Sequence, residues 1–311
     1  MHQTTIDKII GFSGIGLHTG DFVKCKMIPS CADSGIRFVR TDLPGRPQIK
    51  ANSKHVVSTS YATTIGRKGV TISTVEHLMS AFVGLGVDNV TVEINGGEVP
   101  ALDGSAAGFV ELIEDAGIKR LDAVRKYILI KKPVKVRDGD RFVNILPLHE
   151  NAELLSTPKF TIDYTMDFTH PYLDNQAFSL TVTKDSFKKG VASARTYGFL
   201  KDVEMLRANG LARGGSLDNA IVVGDNEILN EDGLRYDNEF VRHKVLDVIG
   251  DLSLIGYPII GRIQAHRSGH DLNQALVAKT LKSLKCWEVI DMTEEVESKF
   301  APIFTEELAT A

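Results

Sequence analysis

The chain has 311 residues, room for two domains of ordinary size, and its 43% hydrophobic and 24% charged content is that of a globular protein. A net charge of -4 excludes broad, salt-driven nucleic-acid binding, which needs a basic face, and leaves small anionic ligands open. The three cysteines, Cys25, Cys31 and Cys286, are odd in number and lack CxxC spacing, which excludes a disulfide frame and a thiolate metal site.

The opening MHQTTIDKIIGFSG lacks the basic start and apolar core of a signal peptide, and no apolar run is long enough to span a bilayer. The expectation is a soluble, cytoplasmic protein, a monomer with a small-molecule substrate.

In chain order, strand-like runs come first, at Thr4 to Ile15, Phe22 to Ile28 and Ile36 to Arg40, separated by Gly, Pro, Asp and Ser. A helix is predicted over Thr74 to Gly84, then a strand over Asn89 to Ile94 and a helix over Ala106 to Ala116 with Gly117 as its C-cap. The charged stretch at 118–126 reads as a junction, dividing the chain into 1–123 and 124–311. Strand signals resume in YILIKKPVKV and RFVNIL, and KFTIDYTMDF alternates with Phe160, Ile162, Tyr164, Met166 and Phe168 on one face. Helical runs follow around Lys184 to Ala192, Val203 to Ala208, Glu239 to Ile255 and His270 to Leu284. Strands and helices are grouped, so the fold class is α+β: two similar α+β domains packed as layers. GxGxxG and GxxxxGK[ST] are absent, which removes the usual nucleotide fingerprints.

Chemistry concentrates in a few segments. His243, Asp247 and Asp251 recur every four residues in NEFVRHKVLDVIGDL and span an arc of roughly 80° on a helix. The rest of that helix is mostly apolar, and buried charges need a partner or a metal. An imidazole and a carboxylate one turn apart suit zinc, but they equally suit an ordinary surface ion pair. In STVEHLM, His77 is a further candidate ligand and Glu76 a candidate general base; Ser73 and Glu76 also have the spacing of a capping box. His270, in HRSGH, suits protonation of a leaving amine with Asp251 as its carboxylate partner, or is simply a helix N-terminal histidine. Thr196, in SARTYG, offers a hydroxyl to a developing oxyanion or serves a turn. Residues Leu211 to Val223 read as a small apolar passage or a glycine turn before a buried strand.

Taken together, GIGLHTG, STVEHLMSA, VPALDGSAAGFV, ASARTYGF, NEDGLR, EFVRHKVLDVIGDL and HRSGH resemble the bacterial UDP-3-O-acyl-N-acetylglucosamine deacetylases of lipid A biosynthesis, from about Gly14 to Leu276. The resemblance implies Zn²⁺ ligands at His77, His243 and Asp247, a general base at Glu76, a catalytic His270 with Asp251, and an oxyanion donor at Thr196. It places substrate contacts at Lys244, Phe168 (against uracil), Arg267 (near the diphosphate), Tyr197 and His18. Tyr197 stands where phenylalanine is expected and Arg267 where lysine is common, changes that keep an aromatic wall and a cation.

The fold implied is two α+β layers with helices between the sheets. A βαβ insert in the second domain, about 197–223, forms a passage for the acyl chain. Rival readings are a zinc amidase for another N-acyl sugar and a non-catalytic protein with structural zinc. The first is distinguished by whether uridine diphosphate is required, the second by the cysteine-rich, four-ligand sites that structural zinc prefers.

Overall fold

The computed structural model describes residues 1–148, 158–168, 170–294 and 296. Its six α-helices are α1 (Glu76–Leu85), α2 (Ala107–Ala116), α3 (Lys184–Gly190), α4 (Leu200–Ala208), α5 (Glu239–Ser253) and α6 (His270–Lys282). The chain is α+β, as expected.

A five-stranded sheet runs in the spatial order Ile10–Ile15, Phe22–Pro29, Val90–Ile94, Ile36–Arg40, Gln48–Lys50. A seven-stranded sheet is centred on Ile259–His266, which pairs antiparallel with Arg141–Leu146 and parallel with both Lys126–Ile130 and Phe160–Met166. Between the sheets the helices stack in order: α2 against Ile10–Ile15 and α1, α1 against α5, and α5 against Phe160–Met166 and α6. Among the described residues no helix is long and apolar enough to cross a membrane.

The alternation in KFTIDYTMDF has the expected result: Phe160, Ile162, Tyr164 and Met166 are all buried. The strand stops at Met166, so Phe168 lies beyond it in the following loop. The charged stretch read as a junction is itself the strand Ile118–Val124, paired antiparallel with His2–Ile6. Its exposed side chains mark the outer face of a two-stranded ribbon.

α5 is buried over most of its length, with Phe240, Val241, Val245, Leu246, Val248, Ile249 and Leu252 in the core. Each such side chain contributes roughly 1.5–3 kcal/mol relative to exposure. What brings α5 against α1 is Gly250. A Cβ there would lie 2.0 Å from the carbonyl oxygen of Glu76, so only glycine permits this approach. The contact joins the start of α1 to the middle of α5, where the candidate chemistry lies.

Candidate active site

α1 begins at Glu76, with Val75 as its N-cap and no side-chain cap. The capping-box alternative is therefore overturned. The Ser73 hydroxyl accepts from Thr64 Oγ1 at 3.0 Å, and the Glu76 carboxylate turns away to accept from the Thr63 backbone N–H at 3.1 Å. Glu76 and His77 both point into the interior and are buried.

Across the α1–α5 contact, His77 meets His243 and Asp247. His77 Nε2 and His243 Nε2 lie 3.5 and 3.3 Å from Asp247 Oδ1, and the two rings stand edge-on with centroids 4.9 Å apart. One ligand atom from each residue lies within 4.8 Å of the others, and all three residues are buried. The His243 Nδ1 atom is 3.0 Å from the Ala194 carbonyl oxygen. A carbonyl only accepts, so Nδ1 carries the proton and Nε2 presents its lone pair. Burial, opposed only in part by Asp247, lowers the His243 pKa to about 3, so the ring is neutral near pH 7. Burial would raise Asp247, but the surrounding nitrogen groups, the charged Lys244 among them, outweigh it and hold the carboxyl well below the usual range. Lys244 Nζ donates to Asp247 Oδ2 at 2.8 Å.

This donor set fits a divalent cation. Asp247 Oδ1 is buried and has no hydrogen-bond partner among the described residues, while two imidazole nitrogens face it. Such a convergence is costly without a positive charge at its centre. Nitrogen and carboxylate donors, with no thiolate among them, match zinc sites that do chemistry better than sites that only hold a fold.

A second cluster of ionisable groups adjoins the trio. His270, the first residue of α6, donates from Nδ1 to Asp251 Oδ2 at 2.8 Å, and its Nε2 lies 3.8 Å from Glu76 Oε1. Burial alone would lower the His270 pKa, but Asp251 and Glu76 outweigh it and raise the pKa to about 10. Burial raises Glu76, and His270 and His77 offset this only in part. A carboxyl pushed up and an imidazolium held charged, side by side, have the polarity of a base and an acid.

Glu76, His77, Thr196, Tyr197, His243, Lys244, Asp247, His270 and His18 line one cavity of about 230 Å³. Asp251 lies behind it, fully buried. Tyr197 forms an aromatic wall, its ring 5.0 Å from that of Phe240 and 5.5 Å from Lys244 Nζ. Phe168 and Arg267 do not line this cavity. They pack on each other, guanidinium carbon 5.1 Å from ring centroid, and Arg267 pairs with Asp140.

The expected insert is a βαβ unit: Tyr197–Phe199 pairs parallel with Ile221–Val223 across α4. It is tied to the first half by backbone bonds from Arg213 N to His18 O and from Gly214 N to Leu17 O.

Three supports of the site were not singled out from the sequence. Glu98, fully buried, accepts from His18 N (2.9 Å), Thr19 N (2.8 Å) and the hydroxyls of Thr19 (2.8 Å) and Thr74 (2.8 Å). Arg195 pairs with Glu239 at the start of α5. Thr63 bonds Glu76 and Asp251. For Glu98 the local signal is an ionisable residue among apolar ones, in GGEVPAL.

Comparison with known proteins adds the decisive observation. The family LpxC, UDP-3-O-acyl N-acetylglycosamine deacetylase, matches residues 3–282. The chain belongs to this family. It is 46% identical over 304 residues to a UDP-3-O-acyl-N-acetylglucosamine deacetylase of Campylobacter hominis, covering 98% of this chain and 100% of that one. It is 47% identical over 293 residues to the protein of the same name from a Geobacter species, covering 94% and 93% of the two chains. With that of Acidithiobacillus ferrooxidans it shares 46% identity over 314 residues, covering 100% and 99%.

Proposed function

We propose that the protein is a zinc-dependent amidase that hydrolyses the N-acetyl group of UDP-3-O-acyl-N-acetylglucosamine, giving acetate and UDP-3-O-acyl-glucosamine in lipid A biosynthesis. The observation that carries this reading is the placement of the buried His77, His243 and Asp247 trio beside Glu76 and His270 in one cavity. The names of the relatives support the substrate.

His77, His243 and Asp247 would hold the metal. When bound, zinc supplies Lewis acidity that polarises an amide carbonyl and acidifies water. Glu76 accepts a proton from water as its oxygen bonds to the acetamide carbon. Thr196, on the cavity wall, donates its hydroxyl to the developing oxyanion. His270, kept cationic by Asp251, delivers a proton to the amine nitrogen as the carbon–nitrogen bond breaks. Lys244 neutralises Asp247 and borders the same space.

In this reading Tyr197 and the βαβ insert guide the acyl chain, His18 is a secondary contact, and Phe168 and Arg267 serve the uridine diphosphate end. The division into 1–123 and 124–311 makes this a site shared between domains, in a cytoplasmic monomer.

The test is acetate release from UDP-3-O-acyl-N-acetylglucosamine by purified protein as isolated, after metal stripping and after returning zinc. Activity lost on stripping and restored by zinc supports the reading. No release in any state, with metal content verified, refutes it.

A further inference from the structure

Thr63 is fully buried in the run Tyr61-Ala62-Thr63-Thr64, ahead of the strand Thr64–Arg67. Its backbone brackets the start of α1. The N–H donates to Glu76 Oε2 at 3.1 Å and the carbonyl accepts from Val75 N at 3.3 Å. Its hydroxyl donates to Asp251 Oδ1 on α5 at 2.5 Å.

The other oxygen of Asp251 receives His270 Nδ1 and Asn273 Nδ2, each at 2.8 Å. One uncharged residue therefore holds an oxygen of each carboxylate in the proton-transfer set. The bond to Glu76 Oε2 leaves Oε1 turned toward His270 Nε2, 3.8 Å away. The bond to Asp251 Oδ1 fixes the rotation of that carboxylate so that Oδ2 faces the imidazole.

We propose that Thr63 is a positioning residue that sets the base Glu76 and the His270–Asp251 pair in register with each other. The proposal rests on the acid–base reading of these groups given above. Thr63 touches neither substrate nor metal ligand in this scheme. It acts through the two carboxylates, as hydrogen-bonded supports behind reacting groups commonly do. A purely structural threonine would matter for its methyl and its packing; a positioning threonine matters for its hydroxyl.

The test compares Thr63→Val, which keeps the shape and removes the hydroxyl, with Thr63→Ser, which keeps the hydroxyl and removes the methyl. Both are made in the zinc-loaded full chain. The valine variant is expected to lose about tenfold in kcat, with KM and zinc affinity within roughly twofold of the parent. The serine variant is expected to stay near the parent. The downfield proton resonance of His270 Nδ1–H should shift or broaden in Thr63→Val and be kept in Thr63→Ser. An unchanged kcat and resonance in Thr63→Val overturns the proposal, as does equal impairment of both variants. Should the valine variant fail to fold, Thr63→Cys, with its weak donor, replaces it under the same criteria. The resonance needs no substrate. A parent protein that releases no acetate yet shows the hydroxyl-dependent resonance refutes the deacetylase reading and leaves the positioning role supported.

Discussion

The guanidinium of Arg195 and the carboxylate of Glu239 meet at 2.9 Å with side chains only 2% and 0% exposed. Arg195 Nη2 also donates to Gly233 O at 2.6 Å, and its backbone N–H to Glu239 Oε1 at 2.9 Å. The residues flanking Arg195 are Ala194, whose carbonyl holds His243, and Thr196, which lines the cavity. The ion pair thus pins a cavity-wall segment to the helix end that carries a metal-ligand candidate. Breaking the pair from one side leaves the buried Arg195 with only the exposed Asp232 carboxylate, at 3.1 Å, as its ionic partner. Glu239→Gln is expected to cost about 3 kcal/mol of stability in urea unfolding, and to weaken zinc affinity in chelator competition. Unchanged zinc affinity would separate the pair from the site.

Glu76→Gln preserves the side chain's size and its bond from Thr63, but not its basicity. Turnover should fall about 100-fold or more while zinc stays bound, as read by metal analysis of the purified variant. Wild-type turnover in that variant would remove Glu76 as the base.

The pH profile follows from two groups whose pKa values are both raised. As the proposed base, Glu76 would have to lose its proton to act, and burial raises its pKa, so activity should climb only above the ordinary carboxylate range. His270, as the proposed acid, would have to keep its proton; burial opposes this, but Asp251 and Glu76 raise the pKa to about 10, so activity should fall on the alkaline side. A divalent cation beside both groups favours their less positive forms and moves both limbs to lower pH. Asp251→Asn removes the larger of the two influences raising His270 and should shift the alkaline limb of kcat/KM further down. An alkaline limb that does not move in Asp251→Asn would assign it to another group.

Gly250→Ala tests the helix contact itself. The added methyl would meet the Glu76 carbonyl at 2.0 Å, and backbone there yields poorly. Overpacking of this kind costs roughly 1–3 kcal/mol, and here it also moves His77 away from His243 and Asp247. Thermal unfolding and zinc titration should both record the loss. A variant that matches the parent in both would mean that α1 and α5 can separate without consequence.

Parts of this were readable from the sequence and parts were not, for identifiable reasons. The stripe of His243, Asp247 and Asp251 needs only the helical period, because all three lie on α5. The alternation through Phe160–Met166 likewise needs only the strand period. The strands Gln48–Lys50 and Val56–Ser58, three residues each, are too short to show a period. Thr63, Glu98 and Glu239 carry no periodic signal because their partners lie elsewhere in the chain: Glu239 meets Arg195 across 44 residues and Glu98 meets His18 across 80. The motif resemblance supplied the candidate roles; the supports behind them came only from three-dimensional contacts.

The bond from Thr63 to Asp251 joins residues 188 positions apart. A ribosome adding about 10 residues per second therefore leaves the first half of the site waiting about 20 seconds for the second. Through that interval His77 has neither His243 nor Asp247 beside it. The three-residue donor set therefore does not exist in the nascent chain until α5 has been made. If this trio holds a metal as proposed, the ion is bound late, once closure of α1 on α5 has brought the full donor set together.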